Sequence, residues 1–134
     1  MIDGRVVRVR DLMATDVRSI DGLATVAEAI ALMKEHNVSS LAVDRRDGDD
    51  EIGLVLISDI ASKVSAPDRS PDRVNVYEIM SKPSITVSQD MLARYAIRLL
   101  VRFGISRALV LDAGRNPVGI VTLRDLVLGE QGED

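Results

Sequence analysis

The sequence predicts a mixed α/β protein of two pseudo-symmetric β-α-β-β-α units, packed sheet to sheet as one module. Three observations carry this. The 134-residue chain repeats itself: Asp11-Leu12-Met13 and Glu78-Ile79-Met80 lie 67 positions apart, and the same spacing pairs Ala29 with Ala96, Ile30 with Ile97, Leu32 with Leu99, Ser39 with Ser106 and Val43 with Val110. After the loop Asp44 to Glu51 the spacing becomes 66, pairing Gly53 with Gly119, Val55 with Val121 and Asp59 with Asp125. Within each copy, a helix-spaced apolar stripe precedes two β-rich runs joined by a turn signal. At about 60 residues neither copy reaches a comfortable core alone, so each apolar sheet face is expected to seek its twin.

Residues 1–9 form a leader; across it and into the first unit Arg5, Arg8 and Arg10 alternate with Val6, Val7 and Val9, the pattern of an edge strand or a partner contact. The first unit, 10–65, places a capping box at Thr25-x-x-Glu28, then an apolar stripe of Val26, Ala29, Ile30 and Met33, with Asn37 as a left-handed stop. Strands follow over Val38 to Val43 and Ile52 to Ile57, joined through Asp47-Gly48, and a short helix begins near Asp59. Prolines and charges from Ala66 to Arg73 mark a surface linker, 66–75. The second unit, 76–129, repeats the design: Asp90 as cap, Ala93, Ala96, Ile97 and Leu100 as stripe, and Gly104 where Asn37 stood. Strands Ile105 to Leu111 and Val118 to Val121 are joined through Asp112-Ala113-Gly114, and a last helix starts near Asp125 before the tail, 130–134.

Composition narrows the function. Aromatic residues are 2% of the chain and the net charge is −4, so stacking platforms and bulk attraction for nucleic acid are both weak. With no Cys and one His, a thiolate nucleophile and a conventional zinc site are not expected. No Ser-His-Asp set, Walker loop or acidic metal cluster is evident, so an enzyme is not expected, and no obligatory cofactor or metal. No apolar run approaches the ~18 residues of a membrane span, and the N-terminus does not open a signal peptide, so a cytoplasmic protein without membrane contact is expected. The row Arg94, Arg98, Arg102 at helical spacing reads as a solvated face or as a docking stripe for an acidic partner.

The informative stretch is Pro117 to Val127. A strand ending Gly119-Ile120-Val121 turns into a helix at Thr122, leaving helix-end amides outward as an anion seat. Thr122 offers a hydroxyl to a phosphate, Asp125 two acceptors to a ribose diol, and Gly119 a close approach to the backbone. The competing reading is local, because Thr-x-x-Asp at a helix start is also a cap. In the first unit the Asp stays, as Asp59, while Leu56 takes the Thr position.

With its "RDLM" and "YEIM" openings, "NVSSLAV" and "GISRALV" strands and "GLVLISDI" and "GIVTLRDL" endings, the chain from Arg10 to Gly129 resembles a pair of cystathionine β-synthase (CBS) domains, a Bateman module. Similar pairs regulate IMP dehydrogenases, AMP-activated protein kinase, chloride channels and magnesium transporters. The resemblance implies an adenosine-containing ligand such as AMP, ADP, ATP or S-adenosylmethionine. The family's Gly-x-x-Thr-x-x-Asp signature falls on Gly119, Thr122 and Asp125, with Arg124 inside it. Arg107 falls where members that bind phosphorylated ligands place a base; Ser84, Ile85 and Thr86 fall on the stretch whose backbone reads adenine, and Ile105 on an apolar wall. Val38, Ser40, Ser58 and Asp59 would form a weaker first-unit site.

The expected function is therefore a stand-alone regulatory sensor of an adenine nucleotide, AMP, ADP or ATP. It is expected to act as a homodimer through the helices around Ala27 to Met33 and Arg94 to Leu100, and to be read by an unknown effector protein. The alternatives are a structural dimerisation module with vestigial pockets and an S-adenosylmethionine binder.

Overall fold

The computed structural model describes residues 6–83 and 85–131. The repeat is realised element by element. In the first copy, helix α1 (Val9–Leu12) precedes strand β1 (Ser19–Ile20), helix α2 (Val26–His36), strands β2 (Ser40–Val43) and β3 (Gly53–Leu56), and helix α3 (Ile57–Ile60), which continues π-helically over Ala61–Ser65. In the second, 3-10 turns at Pro71–Arg73 and Val76–Glu78 precede β4 (Val87–Ser88), α4 (Ala93–Arg102), β5 (Arg107–Leu111), β6 (Pro117–Thr122) and α5 (Leu123–Gly129). Each copy builds a three-stranded sheet in which the first strand pairs parallel with the second and the second and third form an antiparallel hairpin. The 67-to-66 change is exact in the registers: Ser40 faces Leu56 as Arg107 faces Thr122.

The helix signals are as read, with one exception. Thr25 and Glu28 cap α2 reciprocally, each backbone amide being met by the other's side chain at 2.9 and 3.1 Å, and Asn37 ends the helix at φ 53°. Gly104, at φ 66°, follows α4 in the same way. Asp90 does not cap α4, whose N-cap is Leu92. Its carboxylate instead pairs with Arg10, and its carbonyl accepts from the Arg8 guanidinium at 2.6 Å, which ties the basic leader into the fold. Arg5 lies outside the described residues.

The compact units do not follow the repeat boundaries. One unit, called the first, is Arg18–Ser84; the second joins Met1–Val17 to Ile85–Asp134. Each copy therefore gives its leading segment to the other unit. In the first unit Val76 and Ile79 are buried with Val26, Ala29, Met33, Leu41 and Val55. In the second, Val9 is buried with Val87, Ala96, Leu100, Val110 and Leu126. Fully burying one of the Val, Leu, Ile or Met side chains contributes roughly 1.5–3 kcal/mol.

The repeated triplets have a mechanical role in this exchange. Asp11 Oδ2 and Glu78 Oε2 each accept the backbone amide three residues back, at Arg8 and Asn75, both at 2.8 Å. Two residues on, Met13 and Met80 press into the seats left by glycines: a Cβ at Gly119 would stand 2.5 Å from Met13 Sδ and 2.9 Å from Ala14 O, and one at Gly53 would stand 2.9 Å from Met80 Sδ. Paired backbone bonds lock the contacts, Ala14 with Ile120 at 2.9 and 3.0 Å, and Ser81 with Leu54 at 2.9 and 2.8 Å.

At Gly119 a backbone carbonyl, not only a flexible thioether, must move to admit a methyl group. Gly119→Ala is therefore expected to destabilise by about 1–3 kcal/mol and more than Gly53→Ala. Gly48→Ala, where a Cβ meets nothing within 4 Å, should change little. Chemical denaturation of the three variants checks the order.

Candidate functional site

Arg107 and Thr122 place part of the candidate set at one end of the second unit's sheet. β4 runs parallel to β5 with Val87 opposite Val110, and β6 returns antiparallel, so the start of β5 and the end of β6 share an edge. Arg107, at the start of β5, and Thr122, at the end of β6, meet there, with Arg124 and Asp125 next in α5 and Ile105 two residues before β5; Ile85 and Thr86 precede β4, whose Val87 pairs with Val110. Ser84 lies outside the described residues. Arg107 stands directly opposite Thr122 in the ladder. Both are half-buried, as are Thr86, Ile105 and Asp125, whereas Arg124 is exposed.

The corner is a cap and retains chemistry beyond it. Thr122 Oγ1 accepts the Asp125 amide at 3.1 Å, which satisfies one helix-end donor and reduces the anion seat anticipated there. With seven residues, α5 also offers little dipole. The hydroxyl proton of Thr122 remains a donor, since the cap uses only a lone pair. Among the described residues the Asp125 carboxylate takes no hydrogen bond or ion pair, and neither does the Arg107 guanidinium. A carboxylate and a guanidinium held at adjacent strand ends, neither neutralised by the protein, can receive a diol and an anion.

Gly119 is buried beneath Met13 and the Ala14 carbonyl, so its missing side chain admits the exchanged segment.

The matching corner in the first unit brings Val38, Ser40, Ser58 and Asp59 to the equivalent edge, but its acid is committed. Asp59 Oδ2 accepts the Leu56 amide at 2.8 Å, and Oδ1 stands 3.8 Å from Lys63 Nζ. Leu56 has no hydroxyl, so the carboxylate of Asp59 is the side-chain acceptor at this helix start, and it serves the Leu56 amide. The two halves thus spend the same acid differently.

Sequence reasoning missed a cavity of about 630 Å3 elsewhere in the first unit, bordered by Leu23, Tyr77 and Lys82. The signal was present in the repeat, where Leu23 and Tyr77 stand at the positions of Asp90 and Arg10.

Two three-stranded α/β units, each completed by the other copy's leading segment and each carrying a Gly-x-x-x-x-x-Asp corner, define a tandem small-domain module. Comparison supplies the family: the CBS domain model matches residues 9–66 and 76–129, and the chain belongs to this family as a CBS pair. A Methanopyrus kandleri protein of uncharacterised function is 33% identical over 123 residues; the match covers 92% of this chain and 62% of that protein. The hexameric CBS-CP12 protein from bloom-forming cyanobacteria superposes with a TM-score of 0.87 at 35% identity, covering 95% of this chain and 74% of that one. The CBS domain pair of MJ0100, solved in complex with 5′-methylthioadenosine and S-adenosyl-L-methionine, shares the fold with a TM-score of 0.78 at 23% identity over 97% of this chain and all of that one. No helix among the described residues is long and apolar enough to cross a membrane.

The corner makes opposite stability predictions for its two acids. Thr122→Val should cost about 1 kcal/mol through the lost cap. Asp59→Ala should cost about 1–3 kcal/mol by leaving the Leu56 amide without its partner. Asp125→Ala, whose carboxylate holds nothing, should stay within about 0.5 kcal/mol. Melting curves without ligand read all three.

Proposed function

We propose that the chain is a non-catalytic regulatory module that binds an adenine nucleotide, AMP, ADP or ATP, at the β5-β6-α5 corner of its second unit. The observation that carries this reading is the pair of uncommitted charges, Asp125 and Arg107, beside the free hydroxyl proton of Thr122. Asp125 accepts both ribose hydroxyls, Arg107 meets phosphate, and Thr122 donates to a phosphate oxygen. Ile105 lies against the base, whose edge is met by the backbone at Ile85 and Thr86.

Arg107 favours a phosphorylated ligand over S-adenosylmethionine, whose single carboxylate is offset by its own sulfonium and ammonium charges, whereas a phosphate brings uncompensated negative charge to the guanidinium. The nucleoside ligands of the MJ0100 pair agree with the class, although at 23% identity that likeness carries fold only. A structural role is favoured for the first unit's corner, where Leu56 and the committed Asp59 leave little for a ligand.

The module acts as an assembly of copies, in line with the hexameric cyanobacterial relative and with the exposed Tyr95, Val101 and Phe103 on and after α4. Light scattering should return a mass above one chain.

Calorimetric titration with AMP, ATP and adenosine tests the site. Asp125→Ala should weaken all three by about tenfold or more, the cost of roughly one charge-assisted bond or two. Arg107→Gln should weaken the nucleotides while sparing adenosine, and Asp59→Ala should leave the affinities near wild type. Unchanged affinity in folded Asp125→Ala protein, or no binding of any of the three at millimolar concentration, would hand the corner to its capping role alone.

A further inference from the structure

The cavity of the first unit lies at the end of its sheet away from Ser40 and Asp59. It is enclosed by the loop that leaves β1, the β2-β3 hairpin loop and the segment after Val76. Its apolar wall includes Leu23, 75% exposed, and Tyr77, 52% exposed. Singly, such exposure means little. The repeat supplies an internal control.

Gly22, Leu23 and Tyr77 occupy the positions that Gln89, Asp90 and Arg10 occupy in the second unit. The backbone joining them is the same in both: the Tyr77 amide donates to Gly22 O at 3.0 Å, and the Arg10 amide donates to Gln89 O at 3.0 Å. In the second unit Arg10 and Asp90 form an ion pair at this place. In the first, an aromatic ring and a leucine face it, and Gly22 contributes no side chain.

The hairpin loop differs in the same direction. It is one residue longer in the first unit and brings Arg46 and Asp50 to the rim. Asp50 accepts from the Arg46 amide at 2.9 Å, stands 3.3 Å from Arg46 Nε, and pairs with Lys82. One carboxylate between two cations leaves that end with an excess of positive charge. Asp21 and Asp44 also line the cavity, and Asp21 spends one oxygen on the Leu23 amide at 2.8 Å.

An apolar wall, a cationic end and acidic groups within one cavity ask for a ligand that carries all three complements. We propose that this cavity binds a small zwitterion with an apolar body, the chemistry of a free aromatic α-amino acid. Its side chain lies against Leu23 and Tyr77, its carboxylate meets Arg46 and Lys82, and its ammonium group meets Asp21 and Asp44. The site belongs to the first unit and is independent of the nucleotide corner.

The test is amide NMR on the full chain titrated with L-phenylalanine. Saturable shifts are expected at Gly22, Leu23 and Asp44. Phenylalaninamide, which lacks the carboxylate, and 3-phenylpropionate, which lacks the ammonium group, should each bind at least about fivefold more weakly. The double variant Leu23→Asp/Tyr77→Arg imports the ion pair that the second unit already tolerates and should weaken phenylalanine at least about tenfold. Should that variant fail to fold, Arg46→Gln decides in its place, because this side chain is 84% exposed; it should cost about fivefold in affinity. No saturable shift up to about 10 mM, equal binding of the two truncated probes and phenylalanine, or undiminished binding by the folded variants would overturn the proposal.

Discussion

The exchange of leading segments is the constraint on which the rest of this fold depends. A three-stranded sheet with one covering helix leaves part of its apolar face open, and about 60 residues cannot close it alone. Here the missing piece comes from the other copy: Val76 and Ile79 complete one core, Val9 the other. The chain must cross between units at Val17 to Arg18 and again at Ser84 to Ile85. Gly53 and Gly119 admit the methionines that follow each exchanged turn, and the paired bonds at Leu54 and Ile120 fix the segments in register. The same strand, β6, therefore receives Met13 at Gly119 and presents Thr122 three residues later. Building the core and building the corner are one operation.

Much of this was legible because repetition doubles every weak signal. The capping box at Thr25 and Glu28, the left-handed stop at Asn37 and the hairpins are local chemistry, written within a few residues, and they form as read. The exchange was not legible. The triplets Asp11-Leu12-Met13 and Glu78-Ile79-Met80 announce a repeat, but nothing in them states which core they enter; that choice is made by long-range packing. Asp90 was misleading for the same reason, since a good cap by residue type is claimed by Arg10, a partner 80 positions away in the chain. The end of the sheet where the candidate residues meet could be drawn from strand order. The commitment of Asp59 and the freedom of Asp125 could not, because both sequences read as a helix-start acid.

Divergence between the copies is where function is to be sought. At the corner, the first unit's acid accepts the Leu56 amide, whereas in the second unit the Thr122 hydroxyl accepts the Asp125 amide and the acid is left uncommitted. At the opposite end of the first sheet, Tyr77 and Leu23 stand beside a cavity where the second unit has the ion pair of Arg10 and Asp90. In both places the backbone is held constant by the repeat while one or two side chains decide whether polar groups satisfy each other or wait for a ligand.

The exchange itself can be measured by amide hydrogen exchange on paired charge insertions, because each buries a carboxylate in one core only. Val9→Asp is predicted to accelerate exchange in α4, β5 and β6 while α2, β2 and β3 keep their protection. Val76→Asp is predicted to do the reverse. Loss of protection in β2 and β3 on changing Val9, with β5 and β6 unaffected, would place each leading segment in its own copy and contradict the exchanged architecture.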